Sequence, residues 1–175
     1  MPANRLARAP SWPFFHRSPE ADISIVKVQL QDFDIGAEVA ALRAGNAGIG
    51  AIASFIGLVR DLNDGQGVSA LTLEHYPGMT EASLQDICAQ ATRRWNILDC
   101  LVIHRYGRLE PLDQIVLVAV ASAHRQHAFD ACAFIMDYLK TQAPFWKKEV
   151  TPQGERWVEA RASDQSAAQR WVNDA

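Results

Sequence analysis

Three times in this chain a β-type run is followed by a second with too little sequence between them for a helix. Residues 51–59 and 68–76 are separated by RDLNDGQG, 100–106 and 114–123 by GRLEPLD, and 145–150 and 156–160 by a turn that contains TPQG. A parallel crossover needs about a dozen residues or more, usually a helix. Strand pairs joined this tightly therefore favour antiparallel neighbours over a doubly wound parallel sheet. Between the pairs lie helical stretches. Asp34 caps one that runs to about Leu42. Thr80 caps a second, with Leu84, Ile87, Cys88, Ala91 and Trp95 on one stripe. A third runs from about Arg125 to Thr141 and is stopped by Pro144. With a first strand over 23–30, the order is β-α-β-β-α-β-β-α-β-β, followed by a weak terminal helix. The fold class is α+β.

At 175 residues and 49% apolar composition, residues 21–175 suit one domain, large enough to bury about 70% of its unfolded surface without disulfides or a structural metal. Residues 1–20 hold four of the eight prolines together with Arg5, Arg8 and Arg17, and read as a Pro/Arg-rich disordered extension. No apolar run there suits a secretory signal, and the proline density opposes a helical transit peptide. There is no window of 18 apolar residues for a membrane span. The net charge of −3 argues against a general nucleic-acid binder. Cys88, Cys100 and Cys132 are isolated in apolar stretches without zinc-type spacing, as expected of small buried hydrophobes in a reducing, cytoplasmic setting.

The run AIASFIGLV, continuous and apolar, suits a strand buried on both faces. On the third helix, Phe129, Cys132, Ala133 and Met136 form an apolar stripe with Lys140 at its centre, so an ammonium is aimed at a core-facing position. The stem could simply pack while the head reaches water. Alternatively, desolvation beside other cations lowers the lysine's proton affinity and makes it a proton donor or nucleophile. Lys147 follows after Pro144, Phe145 and Trp146, and strand alternation sends Lys147 and Lys148 to opposite faces, which favours a solvated Lys148. His124 and Arg125 mark a helix N-terminus, where free N–H groups favour an anion. His127, one turn on, reads as a surface residue. Arg60 is a further cation at a strand end. Without nucleotide, zinc-protease or serine-hydrolase motifs, the residues describe a metal-free, Lys/Arg/His-lined pocket for a small anionic substrate.

The rows FIGLVRDLNDGQGVSALTLEHYPGMTE, SAHRQHAF, FIMDYLKTQAPFWKKE and GERWVEARASD resemble the catalytic (large) subunit family of molybdopterin synthase. The likeness runs from about Ile23 to Trp171. It implies a hammerhead-like α/β domain with an antiparallel sheet plus a small β-rich portion. It also implies a sulfurtransferase of molybdenum-cofactor biosynthesis that converts cyclic pyranopterin monophosphate to molybdopterin. The two dithiolene sulfurs would come from the C-terminal thiocarboxylate of a ubiquitin-like small subunit, so no cofactor is expected. A homodimer of large subunits would sit within a heterotetramer. Carried over by motif, Lys140 and Lys147 are catalytic. Arg60, His124, Arg125, Lys140, Lys147, Lys148, Glu149 and Arg161 bind substrate, with Arg161 a candidate to reach the neighbouring protomer. A rival reading is a non-catalytic anion- or nucleotide-binding module. A degenerate binder would have lost one of the two lysines, and this chain retains both.

Overall fold

The structure is a computed structural model that describes residues 24–63, 65–159 and 162–172. The extension at 1–20 and Arg161 lie outside the described residues. The elements are β1 (Ser24–Gln29), α1 (Ile35–Leu42), β2 (Ala51–Leu58), β3 (Leu62–Asn63), β4 (Gln66–Gly67), β5 (Ala70–His75), α2 (Met79–Arg94), β6 (Ile97–Arg105), β7 (Gly107–Leu109), β8 (Gln114–Ser122), α3 (Arg125–Gln142), β9 (Phe145–Thr151), β10 (Gly154–Val158) and α4 (Ala162–Gln169).

Two four-stranded sheets organise them, in the orders β1-β6-β8-β2 and β10-β9-β5-β7, with β3 and β4 forming a two-stranded hairpin. Pairing is antiparallel throughout except for β1, which lies parallel to β6. The main core forms where α2 and α3 cover one face of the first sheet, with Leu84, Ile87, Val102, Val118, Phe134 and Ile135 almost fully buried. On the sheet's other face α1 adds Leu42 against Leu101, Ile103 and Leu117. A small third cluster of Val59, Leu71, Leu73 and Leu109 joins the two sheets.

Helix ends follow local chemistry. Asp34 Oδ1 accepts from the Ala37 N–H at 3.0 Å and caps α1. At α2 the expected Thr80 cap is displaced. The N-cap is Gly78, at φ 81°, and its N–H donates to Glu81 Oε2 at 2.7 Å. Thr80 is inside the first turn, its hydroxyl donating to the Tyr76 carbonyl at 2.9 Å. Glycine accepts this positive φ without the steric cost that Thr would meet.

Three other expectations change. β2 is not buried on both faces: it is the edge of its sheet, and Phe55 and Leu58 are 40% and 48% exposed. Residues 68–76 do not return against β2, because β5 pairs with β9 and β7 in the other sheet. The short polar connection crosses between sheets. On α3 the buried residues are Ala128, Ala131, Cys132, Phe134, Ile135, Met136, Tyr138 and Leu139, so Cys132 and Met136 of the expected stripe do join the core, whereas Phe129 and Lys140 at its ends border a groove beside β2.

Candidate functional site

The order of strands decides which candidate residues can meet. β8 runs antiparallel to both β2 and β6, and α3 turns back directly after β8. The C-terminal ends of β2, β6 and α3 therefore share one end of the first sheet. The hydrogen bonds agree: Val59 N–H donates to the Asp113 carbonyl at that end, and Gly50 N–H donates to the Ser122 carbonyl at the other. Arg60, Lys140 and the start of β9 with Lys147 lie at the first end. His124 and Arg125 lie at the opposite one. α3 has 18 residues, and the fifteen steps from Arg125 to Lys140 span about 22 Å along its axis. Within one chain the expected cations thus form two groups.

The stripe of α3 and the edge strand β2 enclose an open groove of 370 Å³, lined by Ala53, Ser54 and Phe55 on one side and by Phe129, Met136 and Lys140, among others, on the other. Phe129 is 59% exposed in it. Cys132 forms part of its wall, and burial pushes that thiol up to about 11. Lys140 closes one end of the groove. Its Nζ lies 3.5 Å from Asp164 Oδ1 on α4, and the side chain is 42% exposed. The ammonium is accordingly held at the mouth of an apolar channel and is not sunk in the core.

Beyond Lys140, β9 carries Phe145, Lys147 and Glu149 on one face and Trp146 and Lys148 on the other. Phe145 stacks on His104 of β6, with centroids 3.7 Å apart and planes 19° from parallel. His104 is buried, and its Nδ1–H donates to the Arg105 carbonyl at 2.8 Å. Burial lowers its pKa to about 3 against that hydrogen bond, with the positive charge of Lys147 and then His75 adding to the depression. The imidazole is neutral, with its lone pair on Nε2. His75 and Tyr106 pack beside this stack, their centroids 4.5 Å apart. Sequence reading missed His104 and His75, since a histidine inside a strand reads as ordinary core.

Glu149 is buried and fully engaged. Asn63 Nδ2 donates to Oε1 at 2.7 Å, and Arg156 donates to Oε2 through Nε at 3.1 Å and Nη2 at 2.9 Å. Arg60, itself exposed, donates from Nη2 to Asn63 Oδ1 at 3.1 Å. Both carboxylate oxygens of Glu149 are thus occupied by groups of the chain itself. Asn63 and Arg156 carried no signal in sequence, because a polar loop residue and a strand arginine are common. Lys148 points away, to Glu155 at 3.0 Å and the Trp157 ring at 5.5 Å. At the far end of the sheet, α3 opens with His124 as N-cap and an exposed Arg125, and its first turn has no acidic residue. His127 Nδ1 is buried there without a hydrogen-bond partner.

All three cysteines are buried. Cys100 lies 3.6 Å from Cys88, and that contact together with burial raises its thiol pKa well above the ordinary value. Among the described residues no group of three or more His, Cys, Asp or Glu could hold a metal ion, and no helix is long and apolar enough to cross a membrane.

Comparison with known proteins identifies the fold and the family together. The family described as MoaE protein matches residues 28–142. A molybdopterin synthase catalytic subunit from Ralstonia nicotianae is 66% identical over 146 residues, which cover 83% of each chain. The solved molybdopterin biosynthesis MoaE protein of Burkholderia ambifaria superimposes with a TM-score of 0.74 at 59% identity, over 85% of this chain and 98% of the other. At 16% identity, a Helicobacter pylori structure shares the fold, with a TM-score of 0.63 over 79% of this chain and 92% of that one. It was solved as a protein-protein complex of subunit 1 and 2 of molybdopterin-converting factor. The chain belongs to the MoaE family, the enzyme family of molybdopterin synthase catalytic subunits in molybdenum-cofactor biosynthesis.

Proposed function

We propose that this chain transfers sulfur from the C-terminal thiocarboxylate of a ubiquitin-like small subunit to cyclic pyranopterin monophosphate, forming the dithiolene of molybdopterin. The observation that carries this reading is the groove between β2 and α3 with Lys140 at its end. An edge strand beside an apolar channel suits an extended peptide, which gains main-chain hydrogen bonds along the strand and side-chain burial in the groove. A thiocarboxylate is an anion, so the ammonium of Lys140 pairs with it on arrival and is placed to give or take protons as sulfur leaves. Each transfer turns one thiocarboxylate into a carboxylate, so two partner tails are consumed per product. The sulfur travels on the partner, in keeping with the burial of this chain's own thiols, and the chemistry asks for no cofactor. That the Helicobacter pylori protein of this fold was solved with a second subunit is in line with such a partner.

Arg60 supplies positive charge for the substrate phosphate, and Lys147 supplies it for anionic intermediates. His124 and Arg125, about 22 Å away along α3, reach the same substrate only from a second copy of the chain. A homodimer with a site shared across its two-fold axis accounts for both groups. Four of the exposed large hydrophobics form two aromatic pairs. Phe55 and Phe129 border the groove, and Trp146 and Trp157 lie on the outer face of the second sheet, 49% and 56% exposed. Two such sets suit two interfaces, one for the small partner and one for a second copy. The free cysteines suit a reducing compartment, which favours the cytoplasm as the place where this enzyme works. The test is a small subunit lacking its terminal Gly-Gly. Activity should collapse with it, and full activity with the truncated partner overturns the reading.

A further inference from the structure

The network around Glu149 buries a carboxylate and an amide that do not face the groove. Glu149 and Asn63 are only 6% and 7% exposed, whereas Arg60 is exposed. Replacing buried charge pairs by apolar residues is often neutral or stabilising, so stability alone is a weak reason for such a network. Its geometry suggests another. A carboxylate only accepts and a guanidinium only donates. The Asn63 amide is the adapter between them: Nδ2 must face Glu149 and Oδ1 must face Arg60, at 2.7 and 3.1 Å. Arg156 holds the far oxygen of Glu149 with two hydrogen bonds and anchors the arrangement to β10. The β9–β10 hairpin, distant in sequence from β3, is thereby linked through Asn63 to the Arg60 guanidinium. Arg60 gives one N–H group to Asn63 and keeps the rest of its fork for a ligand.

We propose that Asn63 is a positioning residue, which transmits the hold of the Glu149–Arg156 pair to Arg60 and so fixes that cation for an anionic substrate. This inference rests on the substrate role given to Arg60 above. Holding a flexible, rotamer-rich side chain in place before the ligand arrives removes part of the ordering cost of binding. Loss of Asn63 should therefore weaken substrate binding and leave the transfer step at saturation nearly unchanged.

The experiment uses the full chain. Nitrogen-15 relaxation of the Arg60 Nε–Hε group is measured in the unmodified protein and in Asn63→Ala, and binding of cyclic pyranopterin monophosphate is measured by calorimetry. The calorimetry is repeated with Arg60→Ala and with the double variant. If Asn63→Ala does not fold, Asn63→Leu, which is close to asparagine in volume and makes neither hydrogen bond, takes its place. The expected result is a mobile Arg60 side chain and a Kd raised about tenfold, with less than a twofold further change when the Asn63 substitution is made in the Arg60→Ala background. An Arg60 that stays ordered, or an Asn63 effect of the same size without Arg60, overturns the inference. An Arg60 that becomes mobile while Kd is unchanged in every variant supports the hold on Arg60 and overturns its substrate role.

Discussion

Two cation groups at opposite ends of α3 make a demand that can be measured in mixed dimers. Arg125→Ala removes the helix N-terminal cation, and Lys140→Ala removes the ammonium at the groove. Loss of a charged hydrogen bond is worth about 1.5–3 kcal/mol, or roughly 10- to 150-fold in binding. Loss of a positioned proton-transfer group costs about 10²- to 10⁴-fold in rate. Each pure variant should therefore fall to about a tenth of normal activity or less. The two chains are co-expressed with different affinity tags, and the mixed dimer is isolated in two steps. If each site takes Arg125 from one copy and Lys140 from the other, one site of the mixed dimer carries both defects and its twin carries neither. Activity per dimer then returns to about half that of the unmodified protein under two-fold symmetry. If one chain supplied both groups, each site would keep one defect and activity would stay near that of the pure variants. The latter result, or the failure of the two chains to copurify, refutes the shared site.

Three further outcomes follow from individual contacts. Lys140→Arg keeps a positive charge opposite Asp164, but its guanidinium does not release a proton near neutral pH, so single-turnover transfer should be impaired about as much as in Lys140→Ala; a rate close to that of the unmodified protein makes Lys140 only an electrostatic fixture. His104 is neutral in the fold with a pKa of about 3 and titrates at about 6.5 when unfolded, so its contribution is complete above pH 6.5 and is lost as pH falls toward 3. From pH 7.5 to 5 this one group should remove about 2 kcal/mol of stability, and urea denaturation of His104→Gln should show a correspondingly flatter pH dependence; an unchanged slope contradicts the burial argument. A Cβ on Gly50 would lie 2.3 Å from the Ala123 carbonyl oxygen, so Gly50→Ala should cost about 1–3 kcal/mol and lower Tm by several degrees, whereas an unchanged Tm would show that the β8–α3 junction gives way freely.

Local signals in the chain were read correctly where one residue type decides the outcome. Asp34 caps α1, Pro144 ends α3 and the continuous runs of β6 and β8 are strands. Pairing was less legible, because alternation specifies a half-buried strand without naming its neighbour. Residues 68–76 read as a return against β2 and instead build the second sheet. The run AIASFIGLV looks the same whether a core or an open groove covers it, and exposure of Phe55 depends on β2 being an edge. The stripe from Phe129 to Lys140 was visible by its spacing, but which surface it faces depends on how α3 rotates over the sheet. The cations were legible by type and by motif. Their division into two ends came from strand direction, and Asn63, a polar loop residue in sequence, acquires meaning only from the buried Glu149 it meets.

If sulfur passes from a partner's tail to the pterin over this chain's groove and lysines, an isotope on that sulfur must reappear in the product. The most direct measurement is mass spectrometry of the pterin formed from cyclic pyranopterin monophosphate with a small subunit whose thiocarboxylate carries isotope-labelled sulfur. The expected products are molybdopterin with both dithiolene sulfurs labelled and the partner returned as a carboxylate. Product with unlabelled sulfur, or an unaltered substrate beside an intact thiocarboxylate, contradicts this transfer.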